Sequence, residues 1–434
     1  MNLKTLCPFF SFSDDRLTKV SNVKVYIDLK NIFRALYVED ILKEIIEYTY
    51  SDSGRFISSV IFQSILLYVS LWKEFLSSFR NISNYSIYVF TDTGESIYHS
   101  NILPTYKCSR HIDTKIFSEK IEQLKGSDLP TEIKETEIEK LKKRVECVSK
   151  NTEFLELQRK FKPIRDNNFE LSTKFLNKIK NVHFFMLKNL ETDFLPYFLI
   201  TRRFNEEKDV LHIVCSNDHD MYQNLILSNV IQIFSLSNKF CILDNSNVIP
   251  YFLYKTYGVL DPKKKQLIEK LSLNDIPIIM SLCGDPGDDV VKPIKKVGVI
   301  TAAKMLSERD ISYELIGTLD ELNARVYETN SFFKSKDIHN IHSSNWSKLF
   351  SVVSIDELDV LLVKVYKLIS YEQISRWLDE KDSMFKLNTL KSIDLTLQKN
   401  IEVQYSNVQI LNELLSKNLP DFSLHIDNLK MLVE

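Results

Sequence analysis

Five short runs of β-branched and aromatic residues constrain this chain most: Val23 to Ile27, Ser86 to Thr91, Val182 to Leu187, Val210 to Cys215 and Val230 to Phe234. Each is too short for an ordinary helix and too continuously apolar for a strand with one wet face. Separated by helical patterns, they read as the parallel strands of an α/β sheet buried on both faces. Acids follow most of these strands at once: Asp28, Asp92, Glu191 with Asp193, then Asp218 with Asp220. In an open parallel sheet the carboxyl ends of the strands form the ligand crevice, so acids far apart in sequence are expected to meet there.

Around these runs the chain divides into an α/β half and a helical half. From about Thr105 to Lys180 no strand signal occurs, and TEIEKLKKRVECVSKNTEFLELQRKFK mixes both charges at helical spacing. So long an insertion between core strands is commonly functional. After Tyr257 the strand signal stops, and Lys263 to Leu273, Asn274 to Leu282, Val299 to Glu308 and most of the remainder read as helices. Leu358 to Ile369 has the apolar spacing of a packed helix. Repeats, low-complexity tracts and long Gly/Ser linkers are missing from the sequence, in keeping with only 8 glycines.

With 434 residues, 44% of them hydrophobic, the chain can bury one large or two ordinary cores. The formal net charge of -2 lacks the basic excess of a typical nucleic-acid binder, so any such surface requires local segregation of charge. The six cysteines form no CxxC pair, which suggests reduced, intracellular thiols. Phe56 to Trp72 is uncharged but interrupted by serines and Gln63, and falls short of the roughly 20 apolar residues of a membrane span; it reads as a core helix. The N-terminus has no basic region leading into an apolar stretch, so no signal peptide is expected.

Taken singly, each acid has an ordinary explanation: Asp218 could cap the helix after its strand, and Asp193 could complement a helix dipole. Taken together, the ends of four of the five strands carry carboxylates with no Lys or Arg beside them as an obvious partner. Converging anions repel unless something neutralises them. Carboxylates and water suit Mg²⁺ or Mn²⁺, whereas zinc prefers His or Cys. His339 and His342 have no second ligand pair and read as surface residues, and His219 is expected to point away from its neighbours. GDPGDD lacks the alternating ligands and terminal Glu of a calcium-binding EF-hand loop. Two ions about 4 Å apart would favour an in-line displacement at phosphorus, which points to phosphodiester hydrolysis.

The order of these motifs resembles the flap endonuclease and 5′-nuclease family, particularly its bacteriophage exonucleases and ribonuclease H enzymes. The residues carrying the likeness are YIDLKNIFRALY around Asp28, VFTDTGESIYHSNILPTYKCSR from Val89 to Arg110, LETDF around Glu191, CSNDHDMYQ around Asp218, and GDPGDDVVKPIKKVGVITAAKML. They are similar to the family's D-x-x-N-x-x-x-R, F-D with Y-K-x-N-R, E-A-D-D, S-x-D-x-D-x-x-Q and G-D-x-S-D-N-x-x-G-x-x-G-I-G-x-K-T-A elements. The likeness spans about Val23 to Leu306.

The resemblance implies a PIN-like parallel-sheet nuclease domain over residues 1–258 with an arch or gateway at about 105–180. A helix-three-turn-helix region over 259–330 and a helical extension over 331–434 would follow. It implies two Mg²⁺ ions, replaceable by Mn²⁺, one held by Asp28, Asp92, Glu191 and Asp193 and the other by Asp218, Asp220, Asp285 and Asp288. Lys107 and Arg110 would steer the scissile phosphate and stabilise transition-state charge. Lys292, Lys295, Lys296, Gly298 and Thr301 would grip the duplex backbone with a bound K⁺ ion, as a turn entering a helix also favours by its free N–H groups. Arg34 and Tyr37 would face the DNA, Tyr106 would stack on a frayed base or pack under the arch, and Lys142, Lys143 and Arg144 would attract a single strand. The implied partners are DNA with 5′ flaps, nicks or ends, RNA–DNA hybrid, and replication proteins at the C-terminal region. The implied setting is a monomer in the cytoplasm of a phage-infected bacterium, with no membrane role.

This sequence departs from the family pattern at several positions. The last acid of E-A-D-D is Phe194, Asp92 lies one residue later than the usual F-D, Asp289 replaces the customary Asn, and Lys296 replaces the first glycine of G-I-G. Two other readings therefore stand beside a metal-dependent 5′ nuclease: a noncatalytic DNA-structure-binding protein of the same fold, and a PIN-type ribonuclease acting on single-stranded RNA.

Overall fold

A computed structural model describes residues 15–33, 43, 58–94, 96–104, 106–107, 114–126, 130–131, 134–135, 138–139, 141–142, 152–207, 209–236, 239–257, 269–290, 292–293, 297–307, 355–380 and 384–398. Six strands form one sheet: β1 Asn22–Asp28, β2 Asn84–Thr93, β3 Val182–Lys188, β4 Val210–Cys215, β5 Val230–Leu236 and β6 Lys239–Leu243. Their order is β3-β2-β1-β4-β5-β6. The first five pair in parallel, as expected, while β6 runs antiparallel to β5 at the edge. This strand was not anticipated, because KFCIL is short and follows β5 after only two residues. The chain moves outward from β1 in both directions, so the topological switch point lies between β1 and β4, where a doubly wound sheet opens its ligand crevice.

Successive side chains on each strand enter two different cores. Val23, Val25 and Ile27 of β1, with Ile87, Val89 and Phe184, face one core. That core is closed by the helices α2 (Ser58–Ser77) and α5 (Thr152–Leu176), which come after α1 (Leu29–Ile32) and, for α5, after α3 (Ile97–Ile102) and α4 (Thr114–Lys125). Ile65, Leu66 and Val69 of α2 meet Phe161, Phe169 and Phe175 of α5 there. The uncharged run ending at Trp72 is thus a core helix, and no helix among the described residues is long and apolar enough to cross a membrane. Because α5 covers the sheet, the last third of the expected insertion is part of the core.

Tyr26, Tyr88, Phe90, Phe185 and Val214 enter the opposite core. It is closed by α6 (Val248–Tyr257), α7 (Asp275–Cys283), α8 (Val299–Ser307), α9 (Ile355–Ile369), α10 (Tyr371–Asp379) and, through Ile393, α11 (Met384–Gln398). The helical half is therefore continuous with the sheet's own core, although the sequence reading separated the two. Across this face runs a ladder of rings from neighbouring strands: His212, Tyr26, Tyr88 and His183, with centroid separations of 5.8, 5.0 and 4.8 Å. Cys215, Cys241 and Cys283 are free and buried.

Candidate metal centre

The sheet delivers its acids to the switch point. Asp28 ends β1, and its side chain caps α1 by accepting from Asn31 N–H at 3.2 Å. Its other oxygen accepts from the Ser216 hydroxyl at 3.0 Å, just past β4. Ser216 in turn accepts from Asp218 N–H, and Asp218 accepts from Asp220 N–H, so a chain of turns hands three carboxylates to one place. Asp92 lies inside the end of β2. The loops after β2 and β3 lock together where Asn189 N–H donates to Thr93 O and Ile97 N–H to Asn189 O. Gly94 turns the chain here at φ 83°, a left-handed conformation that a residue with a side chain adopts only with strain, and a Cβ there would also displace the Asn189 side chain, whose Oδ1 would lie 2.4 Å away.

Asp285 and Asp288 come from the helical half. Gly284, at φ 61°, ends α7 and starts a tight loop in which Asp285 N–H and Val290 N–H exchange bonds with each other's carbonyls. Asp289 supplies a second left-handed residue at φ 60°. Lys107 is also left-handed, at φ 50°, and is held there by its N–H donating to Asp288 O at 2.8 Å. That conformation is uncommon for a side-chain-bearing residue and tends to mark functional turns.

Electrostatics links all eight acids expected from the sequence. Burial, then the charges of Asp218 and Asp92, push Asp28 up to about 7. Asp220 is pushed well up by burial and by Asp218, Asp288 and Asp285, and Asp193 by burial and by Glu191, Asp220 and Asp218. Glu191 goes the other way. Burial opposes its charge, but Lys107, His99 and the Tyr106 hydroxyl outweigh that and bring it down to about 2. Like-charged, desolvated carboxylates that cannot all ionise unaided need a counter-ion.

Two lysines meet part of that need. Lys107 Nζ bonds Glu191 and lies 3.3 Å from Asp288, and Lys30 Nζ pairs with Asp92. The expectation that no lysine partners the acids is thus corrected: Lys30 stands two residues after Asp28, and its flexible stem reaches across to the next strand. His219 is likewise corrected. Its Nδ1 and Nε2 lie 3.6 and 3.5 Å from Asp218 and Asp220 oxygens, because a 3₁₀ turn at Asp220–Ile226 folds the loop back on itself. Ligand atoms of Asp218, His219 and Asp220 all fall within 4.8 Å of one another.

Two aromatic side chains, Tyr106 and His99, complete this corner of the site. Tyr106, expected either to stack on a base or to pack, is half-buried and packed, its hydroxyl lying 2.9 Å from Glu191 and 3.1 Å from Asp288 and so bridging these two acids. His99 stacks on Tyr106 at 4.4 Å. Tyr106 had a signal, adjacency to Lys107 in the same motif; His99 had none. Arg34, Tyr37, Arg110, Lys143, Arg144, Lys295, Lys296, His339 and His342 lie outside the described residues. Lys142 and Lys292 are exposed, and Gly298 and Thr301 are half-buried at the start of α8.

The residues suit a hard divalent ion on a structural test. Asp220 Oδ1 is buried without a hydrogen-bond partner, an oxygen that a cation would satisfy. Beside it lies a cavity of about 120 Å³ lined in part by Tyr106, His219, Asp220, Asp285 and Asp288.

No protein-family model and no curated protein matches this sequence. Among solved structures the chain is similar to the T5 D15 protein co-crystallized with metal ions, at 13% identity and a TM-score of 0.45 over 88% of this chain and 100% of that one. It is similar to a zinc-bound T5 5′-exonuclease at 14% identity and 0.43, over 88% and 99%. A bacteriophage T5 D15 flap endonuclease complex with DNA and metal ions stands at 14% and 0.43, over 87% and 100%. At 13 to 14% identity these likenesses are of fold alone.

Proposed function

We propose that this protein is a metal-dependent 5′ nuclease that hydrolyses phosphodiester bonds in DNA carrying 5′ flaps, nicks or ends, with RNA–DNA hybrid as a further substrate. The observation that carries this reading is the acidic cluster at the switch point, where ligand atoms of Asp218, His219 and Asp220 lie within 4.8 Å of one another and Asp220 Oδ1 is buried with no hydrogen-bond partner. Asp28, Asp92, Glu191 and Asp193 would hold one ion, and Asp218, Asp220, Asp285 and Asp288 the other, Mg²⁺ being the natural occupant and Mn²⁺ a substitute. When bound, such ions supply Lewis acidity to the phosphodiester and to the attacking water. K⁺ at the turn before α8 belongs to the same proposal.

The chain's own residues do the rest. Tyr106 and Lys107 tie Glu191 to Asp288, so the two acid groups keep a fixed separation. Glu191 and Asp288 raise Lys107's affinity for its proton, so it presents a permanent positive charge beside the place a phosphate would enter. Arg110 would add a second. Gly298 and Thr301 at the start of α8, with Lys292, Lys295 and Lys296 before it, would hold the duplex backbone, contacts that position without reading sequence. In this scheme residues 1–258 form the nuclease domain, the region around 105–151 the gateway, 259–330 the duplex grip and 331–434 an extension.

Asp218→Asn with Asp220→Asn is expected to keep binding to a 5′-flap duplex while losing cleavage in Mg²⁺, followed as product length from a labelled flap. Undiminished cleavage by the double variant sinks the proposal. The lysine pairs at Asp92, Glu191 and Asp288 favour a second reading, a noncatalytic DNA-structure-binding protein whose acids are partly neutralised without metal. Cleavage that appears with Mg²⁺ and vanishes with chelator removes that alternative, and matched RNA and DNA flaps separate both from a ribonuclease.

A further inference from the structure

Three consecutive carbonyls at the end of α9 are each taken by a side chain from the α/β region. Tyr98 Oη donates to Lys367 O at 2.7 Å, His99 Nε2 meets Leu368 O at 2.9 Å, and Gln223 Nε2 donates to Ile369 O at 2.7 Å. A helix end leaves such carbonyls without intrahelical partners, so the α9 terminus is completed only by docking here. Gln223 then accepts from Tyr371 N–H at 3.0 Å, and the Ser370 hydroxyl caps α10. On the far side of α10, Arg202 bonds Glu372 at 2.9 Å and Asp379 at 2.6 Å from the π-helix Leu199–Arg203.

All of these contacts fix one side chain. Tyr371, 1% exposed at the first position of α10, places its hydroxyl 3.3 Å from Asp193 Oδ2. The other Asp193 oxygen accepts from Phe194 N–H at 2.9 Å, a backbone group on the same turn. Phe194 stands where the resembled pattern has a further acid, so Asp193 carries more of the work at this corner. A neutral hydroxyl aims a carboxylate without cancelling its charge, which is what an acid awaiting a cation needs.

We infer that Tyr371, delivered by the C-terminal helices α9 and α10, is a positioning residue of the carboxylate pocket: its hydroxyl orients Asp193 toward a divalent cation. This rests on the metal-dependent reading above, and makes residues 355–379 a working wall of the site.

The test is Mn²⁺ binding by titration calorimetry on the full chain without DNA, comparing the unsubstituted protein, Tyr371→Phe, Asp193→Asn and the double variant. Tyr371→Phe is expected to weaken Mn²⁺ binding about tenfold, the scale on which supporting partners of metal ligands act. Its metal-free unfolding midpoint and its flap-DNA affinity in chelator should stay close to those of the unsubstituted protein. Adding Tyr371→Phe to Asp193→Asn should change affinity by less than about twofold, because the hydroxyl acts through that carboxylate. Unchanged Mn²⁺ affinity in Tyr371→Phe, or full additivity in the double variant, overturns the inference and leaves the nuclease reading intact. No Mn²⁺ binding by the unsubstituted chain overturns both.

Discussion

His212 shows how a single buried side chain couples this fold to pH. It sits in the ring ladder with no exposed surface, bonded through Nδ1 to the Tyr26 hydroxyl at 2.9 Å, while its Nε2 has no hydrogen-bond partner. Burial, and then the nearby Lys24 ammonium, lower its pKa to about 3; Lys24 itself pairs with Glu207 and lies over the Phe204 ring that also stacks on His212. The folded state therefore holds His212 neutral while the unfolded chain protonates it near the ordinary value of about 6.5. Its contribution is full above that value and is lost as pH falls toward 3. Between pH 6 and 4, stability by urea unfolding should fall more steeply in the unsubstituted chain than in His212→Phe, by up to about 1.4 kcal/mol per pH unit for one proton. Equal slopes would show that this imidazole does not titrate as described. Six of the eight acids were legible at this scale because they lie at or just after strand ends in sequence, and Asp285 and Asp288 because they crowd into GDPGDD. Lys30, Tyr106 and His219 were legible only in part and His99 not at all, since a side chain's reach across strands leaves no mark on its neighbours.

At the scale of elements, the joint between α9 and α10 hangs on Gln223. Its amide makes two bonds to buried backbone groups, Ile369 O and Tyr371 N–H, and 146 and 148 residues separate it from them. Gln223→Ala would leave a carbonyl and an N–H buried without partners, each costing about 1 to 3 kcal/mol. A loss of about 2 kcal/mol or more in urea unfolding is expected, and a loss under about 0.5 kcal/mol would mean that water replaces the amide. Motif order had singled out Gln223 as the last residue of CSNDHDMYQ, but not what it holds. The helices themselves were readable: Val299–Ser307 matches the expected Val299 to Glu308, and Asp275–Cys283 lies one residue from Asn274 to Leu282. Apolar periodicity of 3.6 survives in local sequence, whereas the choice of docking partner does not.

Over the whole molecule, the like-charged acids at the switch point are a fault line that bound cations should mend. Any ligand that binds only the folded state raises its stability by mass action, about 2.7 kcal/mol at a hundredfold excess over Kd. Saturating Mn²⁺ is accordingly expected to raise the calorimetric unfolding midpoint by several degrees, with chelator reversing the gain and the Asp218→Asn, Asp220→Asn variant showing little of it. A midpoint that ignores Mn²⁺ would deny the pocket its role. The parallel sheet, the order of its acids and the absence of a net basic charge were determined by sequence alone, because β-branched runs and strand-end carboxylates are local patterns. Only the tertiary structure decided that the helical half shares the sheet's core, that Lys107 and Tyr106 join Glu191 to Asp288, and that Tyr371 reaches Asp193 across 178 residues of chain. Those are matters of burial and distance between segments remote in sequence, and the free energy that brings them together belongs to the packed core and to no single stretch of residues.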